Sequence, residues 1–221
     1  NIGNLYYELE QNKPAEQFYR KSLALARKTN HVMTIGNDLV NIGGIKFEYA
    51  VQFDKLVNAQ ELDSALIYFN EAEIVLTTIN ATYNLAAVYN NIGRIHTIKQ
   101  NHKKALDYYE KALKAREILE DKYGIGLSYI NLAETERLLG NNTKNIEYLI
   151  KASDIFSSLK NYLNLKQAYA KLAEAYEIKK DYPASLKYYQ LFASYKDSIY
   201  NEDNAKQMAE MQTKYDVEKK D

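Results

Sequence analysis

The feature that most constrains the fold is a short motif that recurs along the chain at a nearly constant interval. Asn-Ile-Gly occurs three times, and two related tripeptides follow it at the same spacing: residues 1–3, 41–43, 91–93, 131–133 and 171–173. The successive offsets are 40, 50, 40 and 40 residues. A fixed period of this length is typical of repeat proteins, in which each repeat buries its apolar face only against its neighbours. The sequence therefore predicts an array of repeats.

Each repeat is predicted to contain two helices. In the third copy the residues that share one helical face are Tyr89, Ile92, Gly93 and His96, and a second helical face follows with Ala105, Leu106, Tyr109, Ala112 and Leu113. The polar stretch 99–102 separates the two and predicts a short turn. Gly93 is expected to face Ala105, because two closely crossing helices need a residue without bulk. The longer second offset predicts an insertion around residues 50–60.

This spacing of a large apolar residue, a small residue and a later aromatic resembles the tetratricopeptide repeat family. It is complete in the set Tyr89, Ile92, Gly93, Ala105, Tyr109 and Ala112, and the resemblance covers about residues 1–195. It implies an all-α, right-handed superhelical solenoid of about five antiparallel helix pairs, followed by a C-terminal helix. We predict the array over residues 1–200, with repeats near 1–35, 36–85, 86–125, 126–165 and 166–200. Residues 201–221 are predicted to be a charged helix or connector.

Composition excludes several other classes of protein. The formal net charge is zero, with 29 basic and 29 acidic residues, so nothing favours nucleic acid as a partner. The chain has no cysteine, which excludes disulfides and thiolate ligands but leaves the compartment open. No apolar run is long enough to span a membrane. Because Asn1 already stands within a first-helix motif, we expect the chain to be part of a longer protein.

No catalytic or metal-binding motif is found in the sequence. The three histidines are scattered, and the stretch 123–126 lacks the third glycine and the lysine of a phosphate-binding loop. Gly124 is instead expected to end a helix. We therefore predict no catalytic residue, no metal, no cofactor and no enzyme activity in this segment. A kinase or another output domain beyond Asp221 is compatible with this prediction.

The family resemblance implies that the first helix of each pair lines a concave groove for a protein or peptide ligand. The residues carried over to that groove are Asn4, Tyr7, Asn41, Phe47, Asn90, Asn91, Arg94, Asn131, Glu134, Arg137, Lys171 and Glu174. Among them, a ladder of asparagines at equivalent positions could pair with any peptide backbone, since each amide both donates and accepts. The alternative is that these asparagines only bond locally. A carboxylate clamp is not expected, because acidic residues lie among the few cations.

The tail allows two interpretations. Residues 204–221 carry a thin seam at heptad spacing, which fits a polar capping helix. Within this tail, residues 208–221 also resemble the connector of Bacteroidetes-type membrane signalling proteins, in which tetratricopeptide repeats precede a membrane helix and a histidine kinase or helix-turn-helix regulator. That resemblance implies a ligand- or partner-sensing segment in the periplasm, anchored only through residues outside this chain, and a homodimer formed through the tail helix. The alternative is a freestanding cytoplasmic adaptor or peptide-responsive regulator.

Overall fold

The structure is a computed structural model that describes residues 2–51 and 57–194. Its helices are α1 (Ile2–Glu8), α2 (Asn12–Lys28), α3 (Val32–Val51), α4 (Ala59–Thr77), α5 (Thr82–Ile98), α6 (His102–Ile118), α7 (Lys122–Leu138), α8 (Asn142–Ser158) and α9 (Tyr162–Ile178). A further helix, α10, covers residues 182–194. The described residues contain no strand. The predicted all-α class is therefore confirmed.

The chain divides into two compact halves, which are described separately. The amino-terminal half ends at Gly124 and the carboxy-terminal half begins at Ile125. In the first half, each helix from α1 to α6 packs against the next one along the chain; in the second half, α8 packs against α9. The odd-numbered helices are the first helices of the repeats and the even-numbered helices are the second. The tail, 201–221, lies outside the described residues.

A left-handed residue closes nearly every helix at the turn that follows it. Glu10, Asn30, Asn80, Gln100, Glu120, Gly140, Lys160 and Lys180 all have positive φ, and they recur every 20 residues except across the insertion. At Gln100, the backbone N–H donates to the carbonyl of Thr97, and the N–H of Asn101 donates to the carbonyl of His96. This pair of bonds is the Schellman arrangement. The left-handed residue of this motif is usually a glycine, but only one of these eight positions is one. The motif therefore could not be recognised from the sequence.

Gly124 is one position where the sequence prediction was wrong. It does not end a helix but stands in the first turn of α7. Its N–H donates to Oδ1 of Asp121 at 2.9 Å, and its carbonyl accepts a hydrogen bond from Nη1 of Arg116, also at 2.9 Å. The left-handed residue that closes α6 is Glu120, two residues after the helix. The glycine is needed for space, because an added Cβ would meet the Asp121 carboxylate and the Arg116 side chain.

The predicted insertion lies between α3 and α4. These two helices, with 20 and 19 residues, are longer than the 17-residue helices of the later repeats. Residues 52–56 lie outside the described residues. On the far side, Asn58 caps α4, since its Oδ1 accepts hydrogen bonds from the N–H groups of Gln60 and Glu61. Part of the added length is therefore accommodated as extra helix.

The recurring glycine makes room for the aromatic residue of the second helix. A Cβ built on Gly93 would lie 2.6 Å from a ring carbon of Tyr109, and one on Gly3 would lie 2.7 Å from Tyr19. Gly43 faces the ring of Phe69 in the same way. The closest approach to Gly93 is therefore that of the Tyr109 ring, one helical turn beyond the Ala105 that the sequence suggested. The glycine serves packing, because a side chain at that position would overlap the ring of Tyr109.

His96 stands at the position that Tyr6 occupies in the first repeat and Tyr176 in the last, and its environment predicts a pH effect. It is buried, its Nδ1 has no hydrogen-bond partner among the described residues, and its ring stacks on Tyr108 with centroids 5.8 Å apart. Burial, and then the charges of Lys104 and Lys99, lower the pKa of His96 below its usual 6.5. The folded protein therefore keeps His96 neutral where the unfolded chain already binds a proton.

We expect this difference to make the free energy of unfolding fall as the pH drops below about 6.5, until the lowered folded-state pKa is reached. Urea unfolding at several pH values between 5 and 8 measures the slope. His96→Phe keeps a ring at this position and is expected to remove the His96 part of the slope. An unchanged slope in that variant would contradict the assignment.

Candidate peptide-binding surface

Four asparagines line one pocket on the first helices of the amino-terminal half. Asn4 comes from α1, Asn37 and Asn41 from α3, and Asn84 from α5; Val40 completes the lining. The pocket has a volume of about 300 Å³. We call this set the asparagine pocket. Asn37 and Asn41 line the same pocket because they are one helical turn apart and so share a face of α3.

Hydrogen bonds to neighbouring residues orient part of the asparagine pocket. Nδ2 of Asn84 donates to Oδ1 of Asn37 at 2.7 Å. The Tyr19 hydroxyl donates to Oδ1 of Asn4 at 2.8 Å, and the ring of that tyrosine is buried against Gly3. The pocket is thus tied to the core packing of the first repeat.

The remaining amide groups are available to a ligand. Within the described residues, Nδ2 of Asn37, Oδ1 of Asn84 and the whole amide of Asn41 make no hydrogen bond. These groups include both donors and acceptors. No charged side chain lines the pocket. Such an arrangement suits a neutral group that also donates and accepts, and the main-chain amide of a peptide is the commonest group of that kind.

Two other predicted groove residues contact each other on the same half. The guanidinium carbon of Arg94 lies 4.4 Å from the centroid of the Phe47 ring. Phe47 itself is buried, and Arg94 makes a cation–π contact with its ring. Arg94 is exposed and forms no ion pair among the described residues. The contact holds the cation close to the surface of α3.

Tyr7 lies in a second, acidic pocket at the carboxyl ends of α1 and α3. Its hydroxyl donates to Oε1 of Glu48, whose other oxygen accepts from Nδ2 of Asn12 at 2.8 Å. Glu8 and Glu10 complete the lining. Burial, followed by the hydrogen bond to Glu48 and its charge, raises the pKa of Tyr7 to about 12. Tyr7 therefore stays protonated and keeps donating throughout the physiological range.

In the carboxy-terminal half, the predicted groove residues form an ion-pair cluster. Glu134 pairs with Arg137 one turn later, and Nζ of Lys171 on α9 lies 3.4 Å from Oε2 of the same glutamate. The hydrogen bond from Arg137, assisted by the charge of Lys171, lowers the pKa of Glu134. Both cations are thus engaged by one carboxylate, which leaves them poorly placed to hold a ligand carboxylate. Glu174 is exposed and lines a different, apolar groove.

Of the three asparagines at equivalent repeat positions, Asn41 is the one that lines the asparagine pocket. Asn91 and Asn90 are half-buried on α5, and Asn131 is half-buried on α7. Asn37 and Asn84, which the sequence did not single out, take the neighbouring places. Their spacing gave a usable signal, because Asn37 precedes Asn41 by four residues and Asn84 precedes Asn91 by seven. Both separations keep residues on one face of a helix.

Over 2–51 and 57–194, no three histidine or acidic side chains come together as a set that could hold a metal ion. Within the same part of the chain, no helix is long and apolar enough to cross a membrane.

Sequence profiles of the tetratricopeptide repeat match three parts of the chain: residues 1–30, 86–118 and 124–191. Together they cover more than half of it. The chain belongs to the tetratricopeptide repeat family. No curated protein sequence matches it.

Solved structures of tetratricopeptide repeat proteins share this fold. BtubC (BKLC) from P. vanneervenii superposes with a TM-score of 0.78 at 15% identity, over 90% of this chain and 78% of BtubC. A signal transduction ATPase with a tetratricopeptide repeat sensor, from Pyrococcus horikoshii, superposes with a TM-score of 0.68 at 23% identity. The match covers 85% of this chain and 28% of the ATPase. A Rap protein complexed with competence and sporulation factor superposes with a TM-score of 0.65 at 18% identity, over 90% of this chain and 54% of the Rap protein. At these identities the likeness shows the fold alone.

Proposed function

We propose that this chain binds an extended peptide or protein segment across the first helices of its amino-terminal half, and that the asparagine pocket holds the ligand's main chain. The observation that carries the proposal is the neutral set of unpaired amide donors and acceptors on Asn37, Asn41 and Asn84. Main-chain amides repeat the same donor and acceptor whatever the side chains. The Rap protein crystallised with competence and sporulation factor supports the idea that such a scaffold accommodates a ligand.

A peptide selection tests this proposal. Random peptides of ten residues displayed on phage are selected on the wild-type chain, and the winners are measured by calorimetry. The variant Asn37→Ala/Asn41→Ala is expected to bind them about tenfold more weakly or worse, because two neutral hydrogen bonds of about 0.5–1.5 kcal/mol each are lost. Asn70→Ala, an exposed asparagine on the second helix α4, is the matched control. Peptides that bind the double variant as tightly as the wild type would contradict the proposal.

The biological setting that we favour is the sensing segment of a membrane-anchored bacterial signalling protein, outside the cytoplasm. The support is the resemblance of the tail sequence 208–221 to a connector and the existence of a signal transduction ATPase whose sensor has this fold. In that setting, ligand binding alters the repeat array, and the change passes through the tail to a dimeric output domain. The second candidate is a freestanding cytoplasmic adaptor or peptide-responsive regulator, for which the peptide-bound Rap protein is the support.

The reading frame that encodes the chain distinguishes the two settings. The sensor proposal expects a secretion signal upstream, and downstream an apolar span of about 20 residues followed by an output domain. Fractionation of cells that express the intact protein should then place it in the membrane. Recovery of an intact protein from the cytoplasmic fraction would favour the adaptor and exclude the sensor setting.

A further inference from the structure

The side-chain amides of the asparagine pocket present their donors and acceptors in a fixed arrangement. Nδ2 of Asn84 donates to Oδ1 of Asn37 at 2.7 Å. The bond occupies one end of each amide, so the atoms left without a partner among the described residues are Nδ2 of Asn37 and Oδ1 of Asn84. At this point of the pocket, α3 therefore supplies a donor and α5 supplies an acceptor.

Tyr19 fixes a second donor in the same pocket. Its hydroxyl, on α2, donates to Oδ1 of Asn4 at 2.8 Å. That bond occupies the oxygen of Asn4 and leaves its Nδ2 without a partner in the described part of the chain. Burial, and then the charges of Asp38 and Glu8, raise the pKa of Tyr19, so the hydroxyl keeps its proton. The Asn4 amide is thus held with its donor available to a ligand.

The hydroxyl of Tyr19 is not needed for the packing that recurs in the repeats. The residues at the same position in the second, third and fourth repeats are Phe69, Tyr109 and Leu149. Phe69 and Leu149 have no hydroxyl and are nevertheless at most 1% exposed. The hydroxyl of Tyr109 lies 3.3 Å from Oγ1 of Thr97, a residue of its own repeat that does not line the pocket. The bond from Tyr19 to Asn4 is therefore particular to the first repeat.

We propose that the asparagine pocket accepts a ligand amide in one orientation, with the carbonyl oxygen at Asn4 and Asn37 and the N–H at Asn84. Tyr19 is the positioning residue that sets this polarity, because it holds the Asn4 amide as a donor. A trans amide carries its C=O and its N–H on opposite sides, which matches donors on α1 and α3 and an acceptor on α5. The inference rests on the proposed function and adds the chemical polarity of the group that is bound.

Side-chain amide NMR on the ligand-free, full-length chain tests the polarity without any peptide. The Nδ2 protons of Asn84 are expected to exchange with water more slowly than those of Asn37, because only the Asn84 group donates a hydrogen bond within the pocket. The reverse order would mean that the two amides are turned round. Equal rates would mean that no bond joins them. Either of these results would overturn the proposal.

An ester scan of the tightest phage-selected peptide identifies the N–H that the pocket holds. Each main-chain amide of the peptide is replaced in turn by an ester, which keeps a carbonyl and lacks the N–H. At one position we expect the ester to weaken binding to the wild-type chain by about two- to tenfold, because one neutral hydrogen bond is lost. The same ester should not weaken binding to Asn84→Ala, which lacks the acceptor. If every ester affects the two proteins equally, the proposal is wrong.

Two further variants test the role of Tyr19 and Asn4. Tyr19→Phe keeps the buried ring but frees the Asn4 amide to turn, and we expect it to bind the same peptide about two- to tenfold more weakly. Tyr109→Phe, the equivalent change in the third repeat, is the matched control and should bind as the wild type does. Asn4→Asp still accepts from Tyr19 but offers a ligand only acceptors, so it should bind more weakly than Asn4→Ala. Wild-type affinity in Asn4→Asp would contradict the assignment of Asn4 as a donor.

Failure of this inference and failure of the proposed function give different results. If Asn37→Ala/Asn41→Ala binds the peptide as the wild type does, the pocket is not the binding site and the proposed function fails. If that double variant binds weakly while Tyr19→Phe and Asn4→Asp bind normally, the peptide is held in the pocket but Tyr19 sets no polarity there. In that case the proposed function stands and this inference is overturned.

Discussion

Replacing Phe69 by alanine is expected to lower the free energy of unfolding by about 3–5 kcal/mol, the usual cost of removing a fully buried aromatic side chain. Phe69 is completely inaccessible, and its ring lies against Gly43 in the core that joins α1 to α5. The cost is high because the surrounding helices are held by their own repeats and relax only partly into the cavity. Urea unfolding followed by circular dichroism measures it.

Ile67→Ala is the matched control for this substitution. Ile67 stands two residues earlier on the same helix and is 65% exposed. We expect that change to stay within about 0.5 kcal/mol of the wild type, as is usual for surface positions. A loss at Phe69 no larger than the loss at Ile67 would mean that the second repeat is not packed as described.

The second large effect is expected at Gly93. Alanine favours a helix over glycine by about 1 kcal/mol, so propensity alone predicts that Gly93→Ala is stabilising. The added Cβ, however, would lie 2.6–3.0 Å from three ring carbons of Tyr109. That ring is buried, and its hydroxyl lies 3.3 Å from Oγ1 of Thr97. Overpacking of this kind costs about 1–3 kcal/mol, and we expect it to cancel or exceed the gain in propensity.

Gly44→Ala separates the two contributions. Gly44 is also inside a helix, but a Cβ there meets nothing within 4 Å. We expect this variant to be more stable than the wild type by about 0.5–1 kcal/mol, because only the propensity term acts. The two variants should therefore differ by about 1–3 kcal/mol, with Gly93→Ala the less stable. Equal stabilities would show that the ring of Tyr109 moves aside freely.

The repeat was accessible from the sequence because its packing rests on residue size at fixed spacing. The small residue Gly93 and the aromatic residue Tyr109 can both be identified from the sequence, although the sequence suggested Ala105 as the residue that Gly93 contacts. The turns were less accessible, since positive φ falls on Glu120 and Lys160 as well as on Gly140. Backbone hydrogen bonds at the end of the preceding helix hold these residues in the left-handed conformation. Their side chains give no sign of that conformation in the sequence.

The candidate site was only partly accessible for a geometric reason. Comparing equivalent repeat positions selects Asn41, Asn91 and Asn131. Neighbouring first helices instead contact each other three residues away from equivalence, as Asn37 and Asn84 do. The repeat period alone does not contain this shift of three residues. The ion pair between Glu134 and Lys171 shows the same shift, because the two residues lie 37 apart and the period is 40.

The central claim is that the asparagine pocket holds a peptide main chain, and hydrogen exchange tests it most directly. The tightest peptide from the selection is added to the wild-type chain, and amide exchange is followed by mass spectrometry. The account predicts slower exchange in the segments of α1, α3 and α5 that carry Asn4, Asn37, Asn41 and Asn84, and loss of this protection in Asn37→Ala/Asn41→Ala. Protection confined to α9 and α10, or protection that survives in the double variant, would contradict it.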